Sequence, residues 1–316
     1  MRRFIIKVVL FSVLFYTTFY CLSKSINNNE GLDKELKFKI HKLLSITKNH
    51  KSIIIAGDSR AERQLIPKII SSKTGFKCIN LGVSSGELVS FMPYLKLFNP
   101  DSTLFVFSLS SWQINDALTD YGYLSLDAYN QFNFFERCYL YRFNIKGLFK
   151  MEQQLIKNIL RKSKYKPTPE KEIMLNDFGY LKMDGMVNLK SLQIDYLKNR
   201  HIWYKSISTG GLRLRLFKTS IDKLCRKNFN CIMYQPPISP SWHKKIQNSK
   251  IDYFEKYFSN ILKFYKNKSK RLQFIDFYNM PVQSLSDSMF CDAQHLNIKG
   301  ALKFSNLMID SIKNFY

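Results

Sequence analysis

Acidic residues are scarce in this chain. It has 24 Asp and Glu against 49 Lys and Arg in 316 residues, a formal net charge of +25. Such an excess is either a lysine-rich solvated surface or an attraction to an anionic membrane face or anionic polymer. No groove-reading motif is present, which argues against nucleic acid as the partner. Cysteine is sparse too, with six in all. None forms a Cys-x-x-Cys pair or a Cys/His spacing suited to zinc, and nothing in the sequence requires a cofactor or another metal. Cys21 apart, the remaining Cys78, Cys138, Cys225, Cys231 and Cys291 are odd in number, so at least one has no partner within the chain. Cys225 and Cys231 are close enough to bridge a helix-to-strand loop; the alternative is that all five are reduced. No internal repeat is evident.

One long apolar run is present, and what it lacks is a cleavage site. Met1-Arg2-Arg3 is followed by Phe4 to Leu22, uncharged except for Lys7. Nineteen such residues just span a bilayer. The flanking Thr17-Thr18-Phe19-Tyr20-Cys21 has bulky residues where signal peptidase needs small ones, and Tyr20 is a poor context for a lipidated Cys21. Residues 1–23 therefore read as an uncleaved signal-anchor transmembrane helix, positive end inside and domain outside. A cleaved signal peptide is the rival reading. Residues 24–50 are polar and lysine-rich, with a weak helical pattern from Leu32 to Leu44, and read as a stalk or linker.

From residue 51 the pattern is α/β. Short, non-alternating apolar runs mark strands buried on both faces: Ser52–Ala56, Cys78–Leu81, Thr103–Leu109, Asn230–Gln235 and Leu272–Asp276. Helices are expected over Arg60–Ser72, broken or delayed at Pro67, and over Glu87–Phe98, Leu212–Asn228, Ile251–Lys266 and Asn297–Ile312. Five strands alternating with helices predict one domain over 51–316, a flavodoxin-like three-layer sandwich on a five-stranded parallel sheet. Residues 111–208 read as a mostly helical, aromatic-rich insertion after the third strand.

Ile53-Ile54-Ile55-Ala56-Gly57-Asp58-Ser59 carries the chemistry. A buried strand delivers a serine to a strand-to-helix turn at the carboxyl edge of the sheet, where open α/β folds place ligands. Such a serine becomes a nucleophile if a histidine takes its proton. His295, in Asp292-Ala293-Gln294-His295, is the candidate base, and Asp292 would orient it. Each residue also has a plain structural reading: Ser59 as a helix cap, Asp292 as a turn cap, His295 as a hydrogen-bonded loop residue.

Gly57-Asp58-Ser59 followed by a distant Asp292-x-x-His295 resembles the SGNH/GDSL hydrolase superfamily. Gly82, in Ile79-Asn80-Leu81-Gly82-Val83-Ser84, corresponds to that family's second block. The third block, Gly-x-Asn after the third strand, is missing in that form; Asn115 is the nearest asparagine and comes several residues late. The resemblance implies an oxyanion hole made by the backbone amides of Ser59 and Gly82, with Asn115 as the side-chain donor. The N-terminal anchor and the block Asp292-x-x-His295-Leu296-Asn297-x-x-Gly300 also resemble membrane-anchored, extracytoplasmic SGNH-like proteins. These belong to alginate O-acetylation and teichoic acid D-alanylation systems and work beside a membrane-bound O-acyltransferase. The likeness implies acyl transfer, most simply acetyl, to or from a cell-surface glycan or anionic polymer outside the cytoplasm. A GDSL-type carbohydrate esterase and a non-catalytic glycan-binding scaffold are the alternatives.

Overall fold

The computed structural model describes residues 34–84, 86–117, 177–198, 204–279 and 285–315, with a few isolated positions in the N-terminal run and at 135–138. Phe4–Leu22 and most of the insertion fall largely outside these. Among the described residues no helix is long and apolar enough to cross a membrane.

A parallel sheet of five strands has the order β2-β1-β3-β4-β5. The strands are β1 (Ser52–Gly57), β2 (Lys77–Asn80), β3 (Thr103–Ser108), β4 (Asn230–Gln235) and β5 (Leu272–Asp276). Register is set by the hydrophobic runs: Ile53, Ile54 and Ile55 of β1 lie beside Leu104, Phe105 and Val106 of β3. Every residue of β1 and β3 is buried, as befits strands covered on both faces. β5, at the edge, alternates buried and half-buried positions.

In chain order the helices are α1 (Lys34–Thr47), α2 (Ser59–Gln64), α3 (Pro67–Thr74), α4 (Leu88–Phe91, continuing as a 3-10 turn to Leu97), α5 (Leu189–Lys198), α6 (Leu212–Arg226), α7 (Pro240–Ile246), α8 (Lys250–Lys266) and α9 (Ile298–Lys313). Two cores sandwich the sheet. Ile54, Phe105, Phe107 and Met233 pack with Phe217 of α6 and Phe258 of α8 on one side. On the other, Ile53, Ile55, Val106 and Ile232 meet Ile70 of α3 and Phe304 and Met308 of α9. The expected three-layer architecture is thus present. Pro67 does break the second helical stretch: it opens α3 as its first residue, where its missing N–H costs nothing.

One boundary differs from expectation. Residues 34–47 are not a free stalk. Leu36, Ile40 and Leu43 recur at helical spacing and are buried in the first core, so α1 belongs to the domain. Lys39 lies on the same buried face and is fully covered, with Nζ 3.0 Å from Glu62 Oε1 of α2 and bonded to the Gly82 carbonyl. This ion pair fastens α1 to the helix that carries Ser59. The Cys225–Cys231 bridge is not formed; the five cysteines Cys78, Cys138, Cys225, Cys231 and Cys291 are free thiols.

Candidate active site

The turn from β1 into α2 is built around Gly57. Its φ is +133°, a conformation side chains rarely adopt, and a Cβ there would sit 2.3 Å from the Ser108 carbonyl oxygen of β3. Asp58 then caps α2: its Oδ1 accepts from the Arg60 N–H at 2.9 Å. Ser59 is the first residue of α2, so its own N–H has no intrahelical acceptor. Gly57→Ala is expected to push the β1–β3 edge apart and displace Ser59. The expected outcome is a fall in ester turnover of at least tenfold, with a lowered urea midpoint, both measured on the same purified variant.

The second half of the site is the loop before α9. A bridge between Phe290 and Leu296 closes it, with Cys291 N–H donating to the His295 carbonyl at 2.9 Å. Asn297 caps α9 by accepting from Gly300 N–H at 3.1 Å, and its amide donates to Ser288 O and Gly185 O. Gln64, at the end of α2, donates to Gln294 O at 2.8 Å and so ties the serine helix directly to the histidine loop. From the insertion, Leu181 N–H donates to Glu62 O, Val187 N–H to Phe290 O, and Asp195 of α5 accepts from Ala293 N–H. Residues 177–198 therefore clasp both halves of the site.

The sequence-predicted residues Ser59, His295 and Asp292 come together in one line. Ser59 Oγ is 2.8 Å from His295 Nε2, and His295 Nδ1 is 2.8 Å from Asp292 Oδ2. A carboxylate can only accept, so the Nδ1 proton points to Asp292 and leaves the Nε2 lone pair facing the serine hydroxyl. Asp292 Oδ1 also accepts the backbone N–H groups of Gln294 and His295, each at 2.8 Å. Burial raises its pKa, but the facing His295 ring and these hydrogen bonds outweigh burial and hold it at about 2. Cys291, next to Asp292, is no rival nucleophile: burial, then the Asp292 charge, pushes its thiol up to about 12.

The expected oxyanion donors fare differently. Gly82 N–H is donated to its neighbour Asn80 Oδ1 at 2.9 Å. Gly82 packs beneath α2, where a Cβ would stand 2.5 Å from Glu62 N; it is there for close approach, with its amide already committed. Asn115 is fully buried, its amide donating to Ser206 O and its Oδ1 accepting from Ala117 and Ser208 N–H. Asn115 staples residues 206–208 to the end of the 3-10 turn after β3. The Ser59 N–H, at the first position of α2, has no hydrogen-bond acceptor within that helix.

Directly after β3, the structure places serines where an asparagine was sought. Ser110 Oγ bonds to both Asp58 and Arg60. Ser111 Oγ meets Tyr204 OH at 2.9 Å, and that hydroxyl donates to Glu255 Oε1 at 2.7 Å. Burial opposes the Arg60 charge, but Asp58 foremost, and then Glu255, outweigh it and raise the pKa. The buried Asp58–Arg60–Ser110 cluster behind the nucleophile was not anticipated from sequence. The consecutive charges of Asp58-Ser59-Arg60 were its one visible signal, and nothing in Ser110 or Tyr204 marked them as its neighbours.

No protein-family model matches the chain, and no curated protein does. Among solved structures, the chain is similar to a Bacteroides fragilis protein provisionally assigned as an acylhydrolase, at 13% identity and a TM-score of 0.40, covering 90% of this chain and 99% of that one. It is similar to a Desulfitobacterium hafniense protein provisionally assigned as a lipolytic protein of the G-D-S-L family, at 9% identity and TM-score 0.36, covering 82% and 98%. It is also similar to a carbohydrate acetylesterase family member from Sinorhizobium meliloti, at 10% identity and TM-score 0.36, covering 84% and 98%.

Proposed function

We propose that this chain is a serine-dependent enzyme of ester chemistry. It moves an acyl group, most simply acetyl, to or from a cell-surface polysaccharide. The observation that carries this reading is the unbroken Ser59–His295–Asp292 line with 2.8 Å at each link. In the first half-reaction Ser59 Oγ attacks the acyl carbonyl carbon while His295 Nε2 takes the hydroxyl proton. Asp292 holds the imidazolium by Nδ1, and the carbonyl oxygen, now anionic, lies toward the Ser59 N–H. Collapse breaks the bond to the leaving alkoxide, which recovers the proton from His295 and leaves an acyl-Ser59 ester. In the second half-reaction an acceptor hydroxyl gives its proton to His295 and attacks that ester; the bond from the acyl carbon to Ser59 Oγ then breaks, Ser59 recovers the proton from His295, and the acylated acceptor leaves.

Water as acceptor makes the protein an esterase; a glycan hydroxyl makes it a transferase. The apolar run Phe4–Leu22 supports an extracytoplasmic active domain held at the membrane, where an acyl donor handed over by a membrane-bound O-acyltransferase would be met. The basic charge supports an anionic polymer as acceptor.

The test is p-nitrophenyl acetate turnover by the purified protein, with mass spectrometry of Ser59. The expected result is an acetyl adduct of about 42 Da on the Ser59 peptide, the mass an acylated serine gains, discharged faster when a glycan acceptor is added. Rapid discharge in water with no effect of glycans would establish the esterase instead. With no adduct from any of several acyl donors, the protein would be a glycan-binding scaffold.

A further inference from the structure

The outward face of α8 is unlike any other exposed helix surface described here. Tyr253, Tyr257 and Phe264 are 62%, 39% and 59% exposed. On a helix these positions fall within about 40° of one another and span about 16 Å along the axis. Lys250, Lys256 and Lys263 are interleaved with them on the exposed side. The two carboxylates of the helix turn inward. Asp252 is buried, accepting from Tyr278 OH at 2.8 Å and pairing with Lys256, and Glu255 is buried against Tyr204 and Gln235. Asp276, which also receives Lys263, is buried as well. The face therefore offers aromatic rings and the Lys250 ammonium, with Lys256 and Lys263 half-exposed and shared with buried Asp252 and Asp276, and no exposed acid from α8 itself.

The rings are held. Tyr257 lies flat along Phe254, with centroids 6.3 Å apart and planes within 15°. Lys268 stands 4.7 Å over Phe264. The first turn of α8 is fixed to the catalytic edge by the Asp252–Tyr278 bond, because Tyr278 follows the carboxyl end of β5. The stripe thus begins at the edge that carries Ser59 and runs down the flank of the sheet.

We propose that this face of α8 is a binding track for an anionic polysaccharide. Sugar rings present flat C–H faces that pack on exposed aromatic rings, and the polymer's carboxylates or phosphates pair with the lysines. Charge complementarity decides against a second copy of the chain, whose equivalent face carries the same sign. Aromatic rings beside lysines also suit lipid headgroups, and the vesicle arm of the test separates that occupant from the polymer. The track extends the polysaccharide reading of the site, since it names the polymer's charge and the surface that holds it.

Full-length protein in detergent micelles would be run through native gels containing polygalacturonate, an anionic probe, or dextran, a neutral one. Retardation is expected with polygalacturonate alone, weakened by salt. The triple change Tyr253→Ala/Tyr257→Ala/Phe264→Ala is expected to weaken binding about tenfold, the loss of a small cluster of aromatic anchors. Phe264→Glu alone, which keeps the helix surface intact, is expected to weaken it also. Turnover of p-nitrophenyl acetate should be unchanged in both. Wild-type retardation in both variants would overturn the track. So would variants that lose binding to vesicles of phosphatidylglycerol and phosphatidylcholine while retaining polygalacturonate. Binding that persists while the ester assay shows Ser59 inert would leave the track standing and remove the catalytic reading.

Discussion

Ser59→Ala is expected to lower p-nitrophenyl acetate turnover by about 10³-fold or more, leaving the fold unchanged. The hydroxyl is the only group of Ser59 that the substitution removes, and its Oγ is what His295 Nε2 faces at 2.8 Å. Without it the covalent step is gone, and what remains is whatever a bound water can do. Asp292→Asn is the more discriminating companion. The amide keeps the volume but can donate to His295 Nδ1, which favours the tautomer with its proton on Nε2, the wrong nitrogen for a base. The expected fall is of the order of 10³ to 10⁴. Steady-state kinetics on the three proteins checks this, with circular dichroism to show that each is folded. A Ser59→Ala protein as active as wild type would end the catalytic reading, and Asn in place of Asp292 without effect would demote Asp292 to a turn cap.

Lys39→Met is expected to cost about 3 to 5 kcal/mol of stability, the usual penalty for orphaning a buried charge. Both side chains of the Lys39–Glu62 pair are 0% exposed. Removing the lysine leaves the Glu62 carboxylate in the interior with the Arg63 guanidinium 3.9 Å away on its other oxygen. The double change Lys39→Met/Glu62→Leu removes both charges, and most of the loss should be recovered. Urea unfolding of the wild type, both single variants and the double variant checks the cycle. A Lys39→Met protein within 1 kcal/mol of wild type would show that the pair contributes no more than a surface bridge does.

The strands and the meeting of Ser59, His295 and Asp292 were legible because their signals are local or chemically rare. Ile53-Ile54-Ile55 announces a strand buried on both faces, and an Asp three residues before a His places both on one turn. Lys39 was not legible, because a lysine in a polar, basic stretch reads as solvated until its partner Glu62, 23 residues on, is known. The weak pattern of Leu36, Ile40 and Leu43 likewise acquires meaning only when there is a sheet to pack on. Gly82 and Asn115 have hydrogen-bond partners that could not be read from the sequence, for one reason. Sequence shows which groups can donate a hydrogen bond, and it does not show which donors are already taken. Asn80 takes the Gly82 amide, and the Ser206–Ser208 backbone takes Asn115.

The catalytic hydrogen bond joins residues 236 positions apart. Contacts of such separation must close a long loop before they return any energy, so they form late in folding. During synthesis the nucleophile leaves the ribosome with β1 and has no base until α9 and the loop before it dock against α2. The Ser59–His295 pair is therefore incomplete while the chain is being made, and the last segment to arrive is the one that completes it. A chain stopped between β5 and His295 would keep Ser59 and all five strands, and would lack the base.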